Sequence, residues 1–163
     1  MAEPTTVKTL RDGEVKFKDG AGTPLEYVVA YEEGNFAYAD PKAAQVVVRD
    51  RGAIAGLRKG DDPVISGSFS IHFRKMADTS DATMLDVINK TNAWASATST
   101  GGTGFEQFLV DLVFTVDSTA VGDTADDVAT FSKCHLSYEF AEGETDKVTV
   151  NFECYGGLTR TGN

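Results

Sequence analysis

Lys133-Cys134-His135-Leu136-Ser137-Tyr138-Glu139-Phe140, a turn at Glu142-Gly143-Glu144, then Val148-Thr149-Val150-Asn151-Phe152-Glu153-Cys154-Tyr155: these two runs decide the fold class. Successive side chains on a strand point to opposite faces. In the first run Cys134, Leu136, Tyr138 and Phe140 share one face, and Lys133, His135, Ser137 and Glu139 share the other. In the second, Val148, Val150, Phe152 and Cys154 alternate with Thr149, Asn151, Glu153 and Tyr155. Two such runs joined by a short turn predict a β-hairpin. Their apolar/polar split predicts antiparallel sheet with one covered face and one wet face.

The same pattern extends outward. Glu14–Lys18 alternates, with Val15 and Phe17 on one side; Asp19–Pro24 reads as a turn, and Leu25–Tyr31 returns as the second arm of an N-terminal hairpin. Phe36 and Tyr38 start a short strand that Pro41 stops, and Gln45–Arg49 is a β-branched strand. Phe69, Ile71 and Phe73 mark a strand within Val64–Lys75, and Phe108 to Val116 marks another, with Asp111 and Thr115 on its polar side. Gly67, inside a strand, signals a bulge or a close backbone approach. One helix is expected over about 80–92: Thr79 or Ser80 as N-cap, Asp81 at the positive end of the dipole, a Met84/Leu85/Ile88 stripe with Val87 beside it, and Lys90 near the C-terminal end. Asn92–Gly104 reads as a flexible loop apart from Trp94, Asp117–Asp127 as an acidic loop, and 156–163 as a tail that is mobile unless a partner holds it. The expectation is a single domain over 1–163, mainly β: an antiparallel β-sandwich or barrel with one α-helix and a long extended loop at about 49–63, preceded by an N-terminal arm at 1–13.

Composition narrows the class. The 163 residues carry 15 Lys+Arg against 25 Asp+Glu, a formal net charge of −10, with 41% apolar residues, which is ordinary globular composition. No apolar run reaches the roughly 18 residues of a spanning helix, so no membrane partner is expected. Met1-Ala2-Glu3-Pro4-Thr5-Thr6 has neither the basic nor the apolar region of a signal peptide. A sequence pI near 4.6 argues against a basic groove that grips phosphates. Cys134 and Cys154 show no metal or redox spacing and read as small hydrophobes in a reducing compartment; a disulfide requires that their strands be neighbours.

No coherent catalytic constellation emerges, so an enzyme is not expected, nor is a cofactor or metal. Gly101-Gly102-Thr103-Gly104 lacks the lysine and the strand-to-helix setting of a phosphate loop. Cys134 and His135 are adjacent on a strand, so their side chains diverge and cannot pair as nucleophile and base. Asp117, Asp123, Asp126 and Asp127 could offer oxygens to calcium, but their spacing does not match an EF-hand and a solvated loop is the simpler reading. Trp94, Tyr38 and Tyr155 would be the aromatics of a ligand-binding module, although a core or interface place suits each better.

What remains is architecture. Arg49, Asp50, Arg51, Arg58, Lys59, Asp61 and Asp62 surround an apolar centre of Ile54, Ala55 and Leu57. Such a segment is too charged for a core, and a monomer gains nothing by exposing its apolar tip. An extended arm that docks onto a neighbouring subunit explains it better than the alternative, a mobile surface loop.

The order of elements resembles that of the major tail tube proteins of long-tailed bacteriophages, which have relatives in contractile tails and type VI secretion tubes. The likeness is sharpest from Val46-Val47-Val48-Arg49-Asp50-Arg51-Gly52 through Gly67-Ser68-Phe69-Ser70-Ile71-His72-Phe73-Arg74, followed by Thr83-Met84-Leu85-Asp86-Val87-Ile88. The resemblance implies a virion protein, assembled in the host cytoplasm. Six copies would form a ring whose sheets join into one β-barrel. Rings would stack into a tube that conducts double-stranded DNA, with other tail proteins at its ends. The long loop would reach the adjacent ring and the helix would lie outside the barrel. Six copies at −10 each would carry −60, a sign that repels phosphates. Asp111, Glu139 and Glu153 are candidates to line such a lumen, and Lys16, Arg74 and Lys133 on polar faces oppose a uniformly negative one. Other readings are a head–tail or tail-terminator ring protein, or a stand-alone β-sandwich that binds a ligand.

Overall fold

A computed structural model describes residues 13–29, 35–75, 81–118, 125–142 and 147–162. Most of the expected N-terminal arm, Thr79, Ser80, Asp123 and the Gly143-Glu144 turn fall outside them. The strands are β1 (Gly13–Lys18), β2 (Glu26–Val28), β3 (Ala37–Ala39), β4 (Gln45–Asp50), β5 (Ala53–Lys59), β6 (Ile65–His72), β7 (Val110–Val116), β8 (Asp127–Ala141), β9 (Lys147–Cys154) and β10 (Leu158–Thr161). A helix α1 (Met84–Asn89) and one 3-10 turn (Asn92–Trp94) sit between β6 and β7. The chain is mainly β, as its alternation requires. Every pairing is antiparallel, in the order β2-β1-β7-β8-β9-β6-β3, and β4 and β5 pair only with each other.

Both expected hairpins form. Lys18 pairs with Glu26 at the start of β1–β2, and Cys134 through Ala141 pair with Cys154 through Lys147 in β8–β9. One face of the large sheet is apolar: Val15 and Phe17 from β1, Leu112 and Phe114 from β7, Phe131 and Leu136 from β8, Val150 and Phe152 from β9, Phe69 and Ile71 from β6, all buried. Phe36, just before β3, is inserted across this face. Its ring stacks on Phe114 (4.4 Å between centroids, 7° between planes) and on Phe152 (5.6 Å, 14°), and it also meets Phe69, Phe131 and Tyr38. Trp94, Met84 and Val87 join the same core from the helical segment. Gly67 of β6 makes the close approach that its place in a strand implied: a Cβ there would come within 2.4 Å of the Phe152 ring and 2.5 Å of the Ala37 carbonyl.

Three expectations need correction. The 49–63 segment is not an extended loop: β4 and β5 form a hairpin that turns at Arg51-Gly52. The end of the chain, expected to be mobile, adds β10 to β8, pairing Leu158–Thr161 with Phe131–Val128. The strand read from Lys133 starts earlier, as β8 begins at Asp127 where the acidic loop ends.

The helix is also shorter than 80–92, for a local reason. Its N-cap is Thr83, because only there does a carboxylate stand three residues on. Thr83 Oγ1 accepts from the Asp86 N–H, and the Asp86 carboxylate accepts from the Thr83 N–H (2.9 Å) and Oγ1 (2.7 Å), a reciprocal capping box. The same carboxylate accepts from Thr91 Oγ1 (2.9 Å) and Asn92 Nδ2 (2.6 Å), so one buried side chain closes both ends of the helix. Lys90, in the left-handed region at φ 54°, ends it.

Burial alone would raise the Asp86 pKa, but the bonds from Thr83, Asn92 and Thr91 outweigh it and hold the carboxyl below its usual range. A depressed folded pKa adds stability that is complete above the unfolded value, near 3.9, and is lost as pH falls through the folded one. Asp86→Asn should therefore lower urea-unfolding stability by roughly 1–3 kcal/mol at pH 7. The gap to the unsubstituted chain should stay constant from about pH 5 to 8 and shrink below about pH 4.

Candidate functional site

The β4–β5 hairpin is the least covered part of the fold. Asp50 pairs with Ala53, leaving Arg51 (φ 48°) and Gly52 (φ 87°) as a two-residue turn with both φ values positive. That is the geometry that matches the twist of a hairpin. Arg49 donates from its guanidinium to the Gly52 carbonyl across the turn (3.4 Å). The register shifts between Val48 and Arg49, so Ala55 is an extra residue on β5. At the base Gly60 N–H donates to the Ala44 carbonyl (2.6 Å), and Lys59 forms an ion pair with Asp62.

Nothing among the described residues covers either face of this ribbon. Ile54 is 64% exposed and Leu57 62%, and Val46, Val47 and Val48 are exposed as well. Val47 lies opposite Leu57, and Val46 opposite Arg58, so apolar groups occur on both sides. An isolated two-stranded hairpin is marginal in water. This ribbon leaves valines and leucine bare on both faces. All the residues singled out in the sequence lie on it or at its foot: Arg49, Asp50, Arg51, Ile54, Leu57, Arg58 and Lys59 in the hairpin, Asp61 and Asp62 just after it.

The second surface is the wet face of the large sheet. Cross-strand register aligns Ser68 with Asn151 and Asn151 with Ser137; Ser70 with Thr149 and Thr149 with Glu139; Ser66 with Glu153 and Glu153 with His135. Ser70 and Thr149 hydroxyls are hydrogen-bonded at 3.2 Å. Glu139 and Glu153 stand exposed on this face, and Glu153 accepts from the Tyr155 hydroxyl (2.6 Å). The lining mixes hydroxyl and amide groups with charges of both signs: Lys16 and Lys18, ion-paired with Glu14 and Glu26, and Lys147 are also on this side.

Asp111 has a structural task that the sequence did not signal. Its Oδ1 accepts from the N–H of Lys133 (2.9 Å), a residue at φ 57° inside β8. There β8 bulges: Tyr155 N–H donates to Lys133 O (3.2 Å), Gly156 N–H to Ser132 O (2.8 Å), and Ser132 N–H to Gly157 O (3.1 Å). The Lys133 ammonium sits 4.8 Å above the Phe105 ring. This junction passes β9 into β10 along the same neighbour, β8. Asp19 does similar work at the β1–β2 turn. Buried, it accepts from Leu25 N–H (2.7 Å), Ala21 N–H (3.3 Å) and Thr98 N–H (2.9 Å), and so ties down a segment expected to be flexible. Asp126 and Asp127 accept from the backbone N–H and hydroxyl of Ser118.

A third feature is the far end of β8. β7 pairs only with 127–134, so among the described residues no strand lies on that side of 136–141. Tyr138 and Phe140 are exposed there, with Phe73 packed edge-on against Phe140 at 5.1 Å. Edge strands β2 and β3 are three residues each.

No protein-family model and no curated protein matches the chain. Solved structures do. The sheath–tube complex of an extracellular contractile injection system, PVC, in its extended state contains a chain with a TM-score of 0.63 and 9% identity, over 98% of this chain and 94% of that one. The sheath/tube terminator of PVC gives 0.61 and 11%, over 99% and 100%. The SPP1 tail tube gives 0.56 and 13%, over 96% and 80%. At such identities the likeness establishes a shared fold.

The three acidic lumen candidates should separate on substitution. Asp111→Ala leaves the Lys133 N–H without its acceptor and should cost roughly 1–3 kcal/mol. Glu139→Gln and Glu153→Gln should stay within about 0.5 kcal/mol. Chemical denaturation of the three variants checks this.

Proposed function

We propose that this chain is a structural subunit of a tail tube: copies of it close into a ring, six being the expected number, and rings stack into a hollow tube for passage of double-stranded DNA. The observation that carries the reading is the bare hairpin at 45–59, on a fold shared with tube proteins. A monomer leaves Ile54, Leu57 and three valines in water; a neighbour in the stack would cover them, at roughly 25 cal/mol for each Å² of apolar surface removed. Joined sheets would likewise use the free side of β8 beyond 136 and the short edges β2 and β3, which otherwise invite uncontrolled pairing. A wet face that mixes hydroxyls and amides with charges of both signs gives DNA phosphates no continuous row of cations to stick to, and the net charge of −10 per copy adds repulsion. The place of action is then a virion tail, with other tail proteins at the two ends of the tube.

A second reading has its own support, the similar TM-score to a tube terminator. A terminator would form one ring and stop.

Electron microscopy of the purified chain at rising concentration separates the two. Tubes that lengthen with concentration are expected; single rings would favour the terminator, and dispersed monomers would sink both. Ile54→Asp combined with Leu57→Asp should abolish stacking. Far-UV circular dichroism and the melting temperature should barely change, because the hairpin contributes little to its own domain's core.

A further inference from the structure

Cys134 and Cys154 lie directly opposite each other in the β8–β9 ladder. Tyr155 N–H donates to Lys133 O (3.2 Å). In an antiparallel ladder such a bond flanks a pair that exchanges no hydrogen bonds itself, the close kind, with Cα atoms about 4.5 Å apart. A disulfide accepts Cα separations of about 4.4–6.8 Å, so this pair can be bridged with little backbone movement. In the structure both are thiols, 0% and 2% exposed. Cys134 donates to the Phe131 carbonyl (3.3 Å), and Cys154 approaches the carbonyls of Ser132 (3.0 Å) and Gly157 (3.2 Å).

The two cysteines differ in surroundings. Cys154 lines a groove of about 610 Å³ that runs between the foot of the β4–β5 hairpin and the Tyr155–Gly157 bulge, with Pro41, Val64 and Tyr155 among its walls. Cys134 does not line it. The neighbouring Cys154 sulfur, together with burial, pushes the Cys134 thiol up, so Cys154 ionises first.

We propose that Cys134 and Cys154 are a latent redox pair, closed into an intrachain disulfide by a small-molecule disulfide that enters through this groove. The Cys154 thiolate attacks one sulfur of the oxidant, for which oxidised glutathione serves. A mixed disulfide forms and one glutathione thiolate leaves. Cys134 then attacks the Cys154 sulfur as its proton passes to the departing sulfur, expelling the second glutathione as its thiol. Two protein thiols are oxidised to one disulfide and the oxidant's S–S bond is reduced to two thiols. The new bond staples β8 to β9 beside the bulge. On the tube reading, which this last point rests on, the pair is reduced in the cell and closes once the particle meets an oxidising medium.

The test uses the full chain, reduced, freed of reductant and exposed to oxidised glutathione, then alkylated under denaturing conditions. The expected product is a monomer on a non-reducing gel, lighter by two hydrogens, with no alkylated cysteine. Its melting temperature should rise by about 5–10 °C and fall back with dithiothreitol. Cys134→Ser should stop at one glutathione on Cys154. Two alkylatable thiols after prolonged exposure, a stable mixed disulfide on the unsubstituted chain, a disulfide-linked dimer or a lowered melting temperature would each overturn the proposal. None of these readouts depends on tube formation, so failure of assembly and failure of the thiol chemistry are seen separately.

Discussion

The stacking of Phe36 between Phe114 and Phe152 is the contact on which the domain turns. β7 and β9 are not neighbours in the sheet; β8 lies between them. A ring that lies flat on both must sit above the sheet, and the strand that follows it, β3, must reach the opposite end through β6. The chain therefore wraps its apolar face inward, around Phe36, Phe69, Phe131 and Tyr38. Aromatic pairs of this kind contribute about 0.5–1.5 kcal/mol each beyond the area they bury. Wrapping leaves the other face of the sheet open and wet.

Where wrapping forces the backbone out of regular structure, carboxylates take over. Asp19 holds the β1–β2 turn to Thr98, Asp86 closes both ends of α1, and Asp111 holds the bulge at Lys133. Each satisfies backbone N–H groups that no ladder or helix could reach. Three of the 25 acidic residues, Asp19, Asp86 and Asp111, are therefore structural mortar.

The alternation in 133–155 was legible because one face of β8 and β9 is buried and the other is not. β4–β5 was only half legible, and for the converse reason. Both of its faces meet solvent, so Ile54-Ala55-Gly56-Leu57 carries no period of two, and Arg51-Gly52 lacks the asparagine or aspartate that usually marks such a turn. β10 follows two glycines and offers Leu158-Thr159-Arg160-Thr161, too short and polar to declare itself; it is a strand because β8 extends past the end of β9. The helix was placed by its apolar stripe, yet its start was set by Asp86, a residue the stripe ignored. The candidate contact residues were legible as a group, since charge around an exposed apolar centre is visible in sequence. That they belong to a two-stranded ribbon was not.

Gly67 adds a last consequence. It lies on the apolar side of β6, opposite Phe152, and the ring occupies the room a side chain would need. Sliding β6 along β9 by two residues would keep every apolar group facing inward, so hydrophobicity alone does not forbid it. It would, however, set Ile65 or Phe69 where the glycine stands, against a ring with no space to give. The missing side chain thus works as a keyway, admitting a single alignment of the two strands and locking out the nearest false one.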